Sequence, residues 1–88
     1  MKTIYKYNLT HAISIHTHKD AKILHLAYQK DELCVWMEVD TEQPIVNRIL
    51  EFAGTGWEIT SRFEEAHYIG TVTDSAGFVW HWYDLGEK

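Results

Sequence analysis

The fold is decided by residues 67–85, which read HYIGTVTDSAGFVWHWYDL. Residues 68–72 are rich in the β-branched and aromatic side chains that strands favour. Residues 73–77 are turn formers, and Gly77 can adopt the positive φ that a tight turn needs. Residues 78–83 then alternate, and one face of that strand carries Phe78, Trp80 and Trp82. The stretch predicts a β-hairpin whose aromatic face belongs to the core.

The same alternation recurs along the rest of the chain at intervals of about eight to twelve residues. It predicts further strands over residues 2–9, 12–16, 21–29, 33–40 and 45–53. The clearest of them has one apolar face, made of Leu33, Val35, Met37 and Val39. About seven short strands predict an all-β fold, a small antiparallel β-sandwich or a partly open barrel, with residues 1–88 as a single domain.

One segment leaves an alternative open. Ile45–Phe52 also fits helical spacing, so that one short helix competes with a strand there. Three further segments are predicted to be irregular: a turn over Thr17–Asp20, a polar loop over Thr60–Ala66 that Phe63 plugs, and a frayed tail over Gly86–Lys88.

Composition excludes several function classes. The net charge of −5, with only eight Lys and Arg residues, argues against a nucleic-acid partner. There is no apolar run of the roughly 18 residues that a membrane span needs. Cys34 is the only cysteine, so no intrachain disulfide forms and a reducing cytoplasm is the expected compartment.

Residues 54–56, Gly-Thr-Gly, are the strongest candidate for binding chemistry. Two glycines allow backbone N–H groups to point outward and hold an anion, and the Thr55 hydroxyl adds a donor. Arg48 is expected to supply a bidentate partner for phosphate or carboxylate, and Trp57 is the tryptophan closest to this loop. The competing interpretation of Gly54, Thr55 and Gly56 is a plain turn.

The histidines give weaker signals. His16 and His18 would share a strand face, but zinc needs a third or fourth ligand, so no metal site is predicted. His81 lies opposite the tryptophans of its strand, where it either lines a pocket or lies on the exposed face. No nucleophile elbow, zinc-protease motif or P-loop is present, so neither an enzyme nor a cofactor is predicted.

Several motifs together resemble a family of small, mostly bacteriophage-encoded proteins of about this length whose function is unknown. These motifs are TIYKYNL, AKILHLAYQKDELCVWMEVD, GTGW, HYIGT and FVWHWYDL. Two departures are that Asn8 replaces a proline of the pattern and that Ser61–Ala66 has no counterpart. The positions that match the pattern are Trp36, Gly54, Thr55, Gly56, Tyr68, Gly70, Thr71 and His81. The resemblance implies a phage accessory protein made in the cytoplasm of an infected bacterium.

Together these observations predict a non-catalytic protein that binds and sequesters a small anionic ligand, for example a nucleotide immune signal. A homodimer is expected, because a small aromatic sheet often covers one face with its own copy. Two alternatives are a module that inhibits or redirects a host protein and a minor virion component. The residues expected to bind the ligand are Arg48, Gly54, Thr55, Gly56, Trp57, Tyr68 and His81.

Overall fold

The computed structural model describes residues 1–10 and 12–88, so His11 lies outside the described residues. The described part of the chain forms seven strands and a single 3₁₀ turn over Ser61–Phe63. The strands are β1 (Lys2–Asn8), β2 (Ser14–His18), β3 (Lys22–Gln29), β4 (Glu32–Asp40), β5 (Ile45–Gly54), β6 (His67–Thr73) and β7 (Val79–Glu87). No helix among the described residues is long and apolar enough to cross a membrane.

The strands form two antiparallel sheets. One sheet has the order β1-β4-β3 and the other has the order β2-β5-β7-β6. The sheets pack face to face and do not close into a barrel, which confirms the predicted all-β fold and selects the sandwich over the barrel.

The core lies between the sheets and is centred on β4. Its predicted apolar face is fully inside, and all four of its side chains are buried: Leu33, Val35, Met37 and Val39. From the other sheet, Leu50 and Trp82 pack against this face. The one fully buried threonine, Thr17, is paired through its hydroxyl with the Tyr7 hydroxyl at 2.8 Å, so this polar group is satisfied.

Ile45–Phe52 is a strand, and the helical alternative is wrong. β5 is the second strand of its sheet and pairs with β2 on one side and β7 on the other. Sheet hydrogen bonds to two neighbours therefore override the local spacing, which by itself does not distinguish a short strand from a helix.

Two predicted boundaries are also wrong. Thr17 and His18 belong to β2 rather than to a turn, because they pair with Val46 and Ile45. The C-terminal residues are not frayed: β7 continues to Glu87, and the Lys88 N–H donates to the Asn47 carbonyl at 2.9 Å. In both places the strand continues because a neighbouring strand is available for pairing.

The β3–β4 connection is a two-residue turn, and in the β6–β7 connection Gly77 has the positive φ that the sequence predicts. Lys30 and Asp31 both have positive φ, as a two-residue type I′ hairpin requires. In the second connection the Asp74 carboxylate accepts hydrogen bonds from the N–H groups of Ala76 and Phe78. Phe78 therefore belongs to this turn and is 62% exposed, so the prediction that it shares a core face with Trp80 and Trp82 is wrong.

A buried ion pair closes one end of the sandwich. Arg48 on β5 donates to both carboxylate oxygens of Asp84 on β7, at 2.9 and 2.6 Å, and to the Ala21 carbonyl at 2.8 Å. The two side chains are only 11% and 10% exposed. Burial raises the pKa of Asp84, but hydrogen bonds from Arg48 and from the Gly86 N–H lower it by more than burial raises it. The pKa of Asp84 therefore lies below its ordinary value.

We expect Arg48→Met to lower the free energy of unfolding by about 3 kcal/mol, because it leaves a buried carboxylate without its partner. Urea denaturation at neutral pH measures this loss. The matched control is Lys6→Met, since Lys6 is exposed and donates to the equally exposed Gln29 side chain; its cost is expected to stay below about 1 kcal/mol. Equal effects of the two substitutions would contradict a special role for the buried pair.

The same pair predicts an acid-sensitive component of stability. Because the folded-state pKa of Asp84 lies below its unfolded value, the contribution is fully present above about pH 4 and is lost as the pH falls through the folded-state pKa. Denaturation between pH 7 and pH 2, roughly the range over which carboxylates titrate, should show a shallower acid loss in Asp84→Asn than in the wild type. An unchanged acid profile would contradict this assignment.

Candidate functional site

Three of the expected site residues meet in a hydrogen-bonded chain on the outer face of the β2-β5-β7-β6 sheet. The Thr55 hydroxyl lies 2.7 Å from Nε2 of His81, and the Thr71 hydroxyl lies 3.0 Å from Nδ1 of the same ring. The Tyr68 hydroxyl lies 2.5 Å from that of Thr71. Thr71 and His81 are direct partners in the β6–β7 register, which explains the second contact.

This chain fixes the position of His81 rather than leaving it free for a ligand. Both ring nitrogens have hydroxyl partners, and a hydroxyl can donate or accept, so either tautomer is satisfied. The bond to Thr55 ties the end of β5 to the middle of β7 and thereby anchors the turn that follows β5. His81 is half-buried, as expected for a residue with neighbours on both sides.

Gly54–Trp57 form a tight turn, which we call the glycine turn. The Trp57 N–H donates to the Gly54 carbonyl at 3.1 Å, and Gly56 has a φ of +88°. Positive φ at the third position is the signature of a type II turn, which explains this glycine. The Trp57 N–H is thus used inside the turn and the Thr55 hydroxyl is used by His81, which favours the plain-turn interpretation over an anion-binding loop.

Gly54 has a different role, which is to make room for an aromatic ring. A Cβ at this position would lie 2.8 Å from Cε2 and Nε1 of Trp57, closer than real contacts allow. The Trp57 ring therefore folds back over Gly54 and packs edge-on against Trp80, with ring centres 5.6 Å apart, and beside Phe52 at 6.2 Å. Its opposite side stays open, since Trp57 is 56% exposed.

Phe52 and Trp80 also line a cavity between the two sheets, which we call the end cavity. It lies at the end of the sandwich opposite the Arg48–Asp84 pair and has a volume of about 360 Å³. Its walls are aliphatic and aromatic, with one threonine and one tyrosine: Leu9, Thr10, Ala12, Ile13, Tyr28, Leu33, Phe52, Trp80 and Trp82. A volume in this range and predominantly apolar walls are typical of small-molecule sites.

Most polar atoms around the end cavity already form hydrogen bonds within the protein. Nε1 of Trp80 donates to the Asp74 carboxylate at 3.0 Å, and the Thr10 hydroxyl accepts from the Leu33 N–H at 2.9 Å. Nε1 of Trp82 has no hydrogen-bond partner among the described residues, but the atom is itself inaccessible. Without a movement of that ring, a molecule in the cavity would contact its carbon atoms rather than its N–H group.

The pKa values of two residues beside the end cavity, Asp74 and Tyr28, are shifted from their ordinary values. The hydrogen bond from Trp80, assisted by the N–H groups of the turn, lowers the pKa of Asp74 and keeps it ionised at neutral pH. Burial raises the pKa of the Tyr28 hydroxyl, and the negative charge of Asp74 raises it further. The charge of Asp74 therefore acts on a residue of the cavity wall.

Arg48 does not join the other expected site residues. It lies six positions before Gly54 on one extended strand, about 20 Å away at the rise of a β-strand, and Asp84 and the Ala21 carbonyl hold its guanidinium. Sequence proximity suggested a phosphate partner, but a strand separates residues that a helix would keep close. The glycine turn therefore lacks the cation expected for it.

The histidine pair does not form a metal site in the described part of the chain. His16 and His18 lie on β2, and Nδ1 of His18 lies 2.7 Å from the Gln43 carbonyl. No group of three or more His, Cys, Asp or Glu side chains is placed to hold a metal ion among residues 1–10 and 12–88.

The loop before β6 packs against the outer face of β7 through Phe63. Phe63 packs edge-on against Tyr83 at 5.2 Å, and Tyr68 packs on the same ring at 5.7 Å. The loop is further held by the ion pair between Arg62 and Glu51 at 2.7 Å. Phe63 thus plugs this face, as predicted.

Comparison with known proteins identifies a family without an assigned function. A family model described as Domain of unknown function (DUF7352) matches residues 1–88. No curated protein and no solved structure matches the chain significantly.

We expect Gly54→Ala to displace the Trp57 ring and to lower the free energy of unfolding by about 1 kcal/mol, the order of one lost aromatic contact. The new methyl group would occupy the place of the indole, while an exposed ring can rotate away at modest cost. Urea denaturation measures the free energy of unfolding, and tryptophan emission should shift to the red as Trp57 becomes more exposed.

A double-mutant cycle provides the control for this substitution. In a Trp57→Ala background the same glycine substitution should cost close to nothing, because the clashing ring is absent. A full cost in that background would place the defect in the backbone instead.

Proposed function

The chain belongs to the DUF7352 family, and we propose that it is a non-catalytic binding protein that takes up a small, largely apolar molecule in the end cavity. The observation that supports this proposal is the cavity of about 360 Å³ between the sheets, with four aromatic side chains in its walls. A volume in this range with predominantly apolar walls is typical of small-molecule sites, which favours an occupant.

The geometry favours an apolar ligand over the anionic, nucleotide-like ligand expected from the sequence. That expectation depended on Arg48 beside the glycine turn, and Arg48 is engaged by Asp84 at the other end of the sandwich. None of the described lining residues carries a Lys or Arg side chain. Among the described lining residues, therefore, no Lys or Arg would compensate the desolvation of a phosphate.

The family resemblance supports the biological setting of the proposal. Motifs such as TIYKYNL and HYIGT are similar to those of phage-encoded proteins, which favours synthesis in the cytoplasm of an infected bacterium. In that setting a binding protein acts by sequestration, withholding a small molecule from a host system, and an anti-defence role is the natural reason for a phage to carry it.

A second candidate is a protein-interaction module that inhibits or redirects a host protein. The observation that favours it is the exposure of two aromatic side chains beside the cavity, Trp57 at 56% and Phe78 at 62%. Exposed aromatic residues around a pocket are typical of sites that receive a side chain from a partner protein.

The proposed homodimer would associate through a sheet face rather than through strand edges. The four edge strands carry the features that discourage edge pairing. β1 has Lys2 and Lys6, β2 has only five residues, and the pairings of β3 and β6 are interrupted by irregularities. Sedimentation velocity of the wild-type protein measures its oligomeric state.

We expect the neutral fluorescent probe N-phenylnaphthylamine to bind the wild-type protein in a ratio of one to one, with increased emission. Ala12→Phe should reduce the affinity at least about tenfold, because a phenyl group would occupy space that the apolar probe needs. The matched control is Ala76→Phe, in the exposed turn before β7, which should bind the probe like the wild type.

Two results would contradict the use of the end cavity. One is a wild-type protein that does not bind the probe. The other is an Ala12→Phe variant that binds as tightly as Ala76→Phe while both keep the wild-type melting behaviour. A stoichiometric host protein whose capture depends on Trp57 and Phe78 would favour the second candidate.

A further inference from the structure

We infer that the ligand of the end cavity is an organic cation with an apolar surface, such as a quaternary or tertiary ammonium compound, held by aromatic rings beside the Asp74 carboxylate. This inference rests on the proposed use of the cavity and specifies the charge of its ligand.

The aromatic walls provide the first part of the argument. Tyr28, Phe52, Trp80 and Trp82 all line the cavity. They do not form a parallel stack: Phe52 meets Trp80 at 82° with ring centres 5.3 Å apart, and it meets Trp82 at 45° and 5.1 Å. Rings set at such angles around a space form a cage, and ring faces carry the negative lobe of the aromatic quadrupole, which attracts a cation.

The charge beside the cavity provides the second part. Asp74 accepts the Trp80 Nε1–H bond at 3.0 Å, so its carboxylate lies at the edge of one ring of the cage. Its negative charge acts on Tyr28, a second wall residue, whose pKa is raised by burial and by Asp74. The described lining residues include no Lys or Arg to offset this field, and the whole chain carries a net charge of −5.

These two features select the sign of the ligand. An anion would meet ring faces and a carboxylate of its own sign, and a neutral molecule would gain only the burial of its apolar surface. An alkylammonium ion gains the same burial and the attraction of the rings as well. It also loses less hydration than a compact ammonium ion, because its charge is covered by methyl groups.

Three probes of nearly the same shape test the inference. Choline carries a trimethylammonium group, and neohexanol is its neutral isostere with a tert-butyl group. The corresponding anion is the carboxylate 3,3-dimethylbutanoate, which we call tert-butylacetate. Each is titrated into isotope-labelled wild-type protein, and the affinity is measured from chemical shifts of the indole N–H signals and the backbone. We expect choline to bind roughly 2- to 30-fold more tightly than neohexanol, the range that a cation–π contribution provides, and tert-butylacetate to bind most weakly.

A charge-neutralising variant locates the effect. Asp74→Asn should reduce the preference for choline over neohexanol while leaving neohexanol affinity close to that of the wild type. The matched control is Glu42→Gln, which removes one negative charge from the exposed turn before β5, at the other end of the sandwich. It should retain the full preference. Thermal melting shows that each variant is folded before it is titrated.

The outcomes separate this inference from the proposed function. Neohexanol binding as tightly as choline, or tert-butylacetate binding most tightly, would overturn the cationic ligand and leave an apolar pocket in place. An equal loss of preference in Asp74→Asn and Glu42→Gln would overturn the role of Asp74, because general surface charge would then explain it. Failure of all three probes and of N-phenylnaphthylamine to bind would overturn the proposed function itself.

Discussion

The hydrogen-bonded ion pair between Arg48 and Asp84 joins the two central strands of the larger sheet, β5 and β7, and its third bond reaches the Ala21 carbonyl at the start of β3 in the smaller sheet. Burying two charges is costly, and the cost is offset only when the geometry is good and the remaining hydrogen bonds are made. Here the contact with Asp84 is bidentate, and a third guanidinium N–H reaches the Ala21 carbonyl. The pair therefore holds both sheets together at this end and engages the guanidinium within the protein.

The opposite end of the sandwich is closed by large rings instead of charges. Phe52 and Trp82 face one another across β5 and β7, and Trp80 lies opposite Gly54 two pairs further along. Phe52, Trp80 and Trp82 line the end cavity together with aliphatic side chains such as Leu9 and Leu33. An occupant that fills it stabilises the fold by mass action.

Much of the fold could be predicted from the sequence, because alternation reports directly on which face of a strand is buried. The inner face of β4 is as predicted, from Leu33 to Val39. The errors lie where pairing overrides local pattern, as at Thr17 and His18 and at the C-terminal residues 86–88. The placement of Arg48 could not be predicted, because its partner Asp84 is 36 residues away and only the β5–β7 register brings them together.

The cavity itself gave only a weak signal in the sequence. Tyr28, Phe52 and Trp80 each lie within two or three residues of a strand end. Aromatic residues at strand ends predict a cavity only when these ends lie together at one end of the sandwich. Whether they do depends on the strand order, which the sequence does not give. Polar residues such as Thr55, Tyr68 and His81, by contrast, are recognised as candidates from their side-chain chemistry alone, without knowledge of the strand order.

These conspicuous residues and the cavity lie on opposite sides of the same turn. On the outer face, the bond from Thr55 to His81 anchors the glycine turn to β7. On the other side, Gly54 leaves room for the Trp57 ring, which packs against the cavity residues Phe52 and Trp80. A change at His81 can therefore reach the cavity through the position of Trp57 without contacting a ligand. The Gly-Thr-Gly motif then supports the Trp57 ring, which packs against two of the rings that line the cavity.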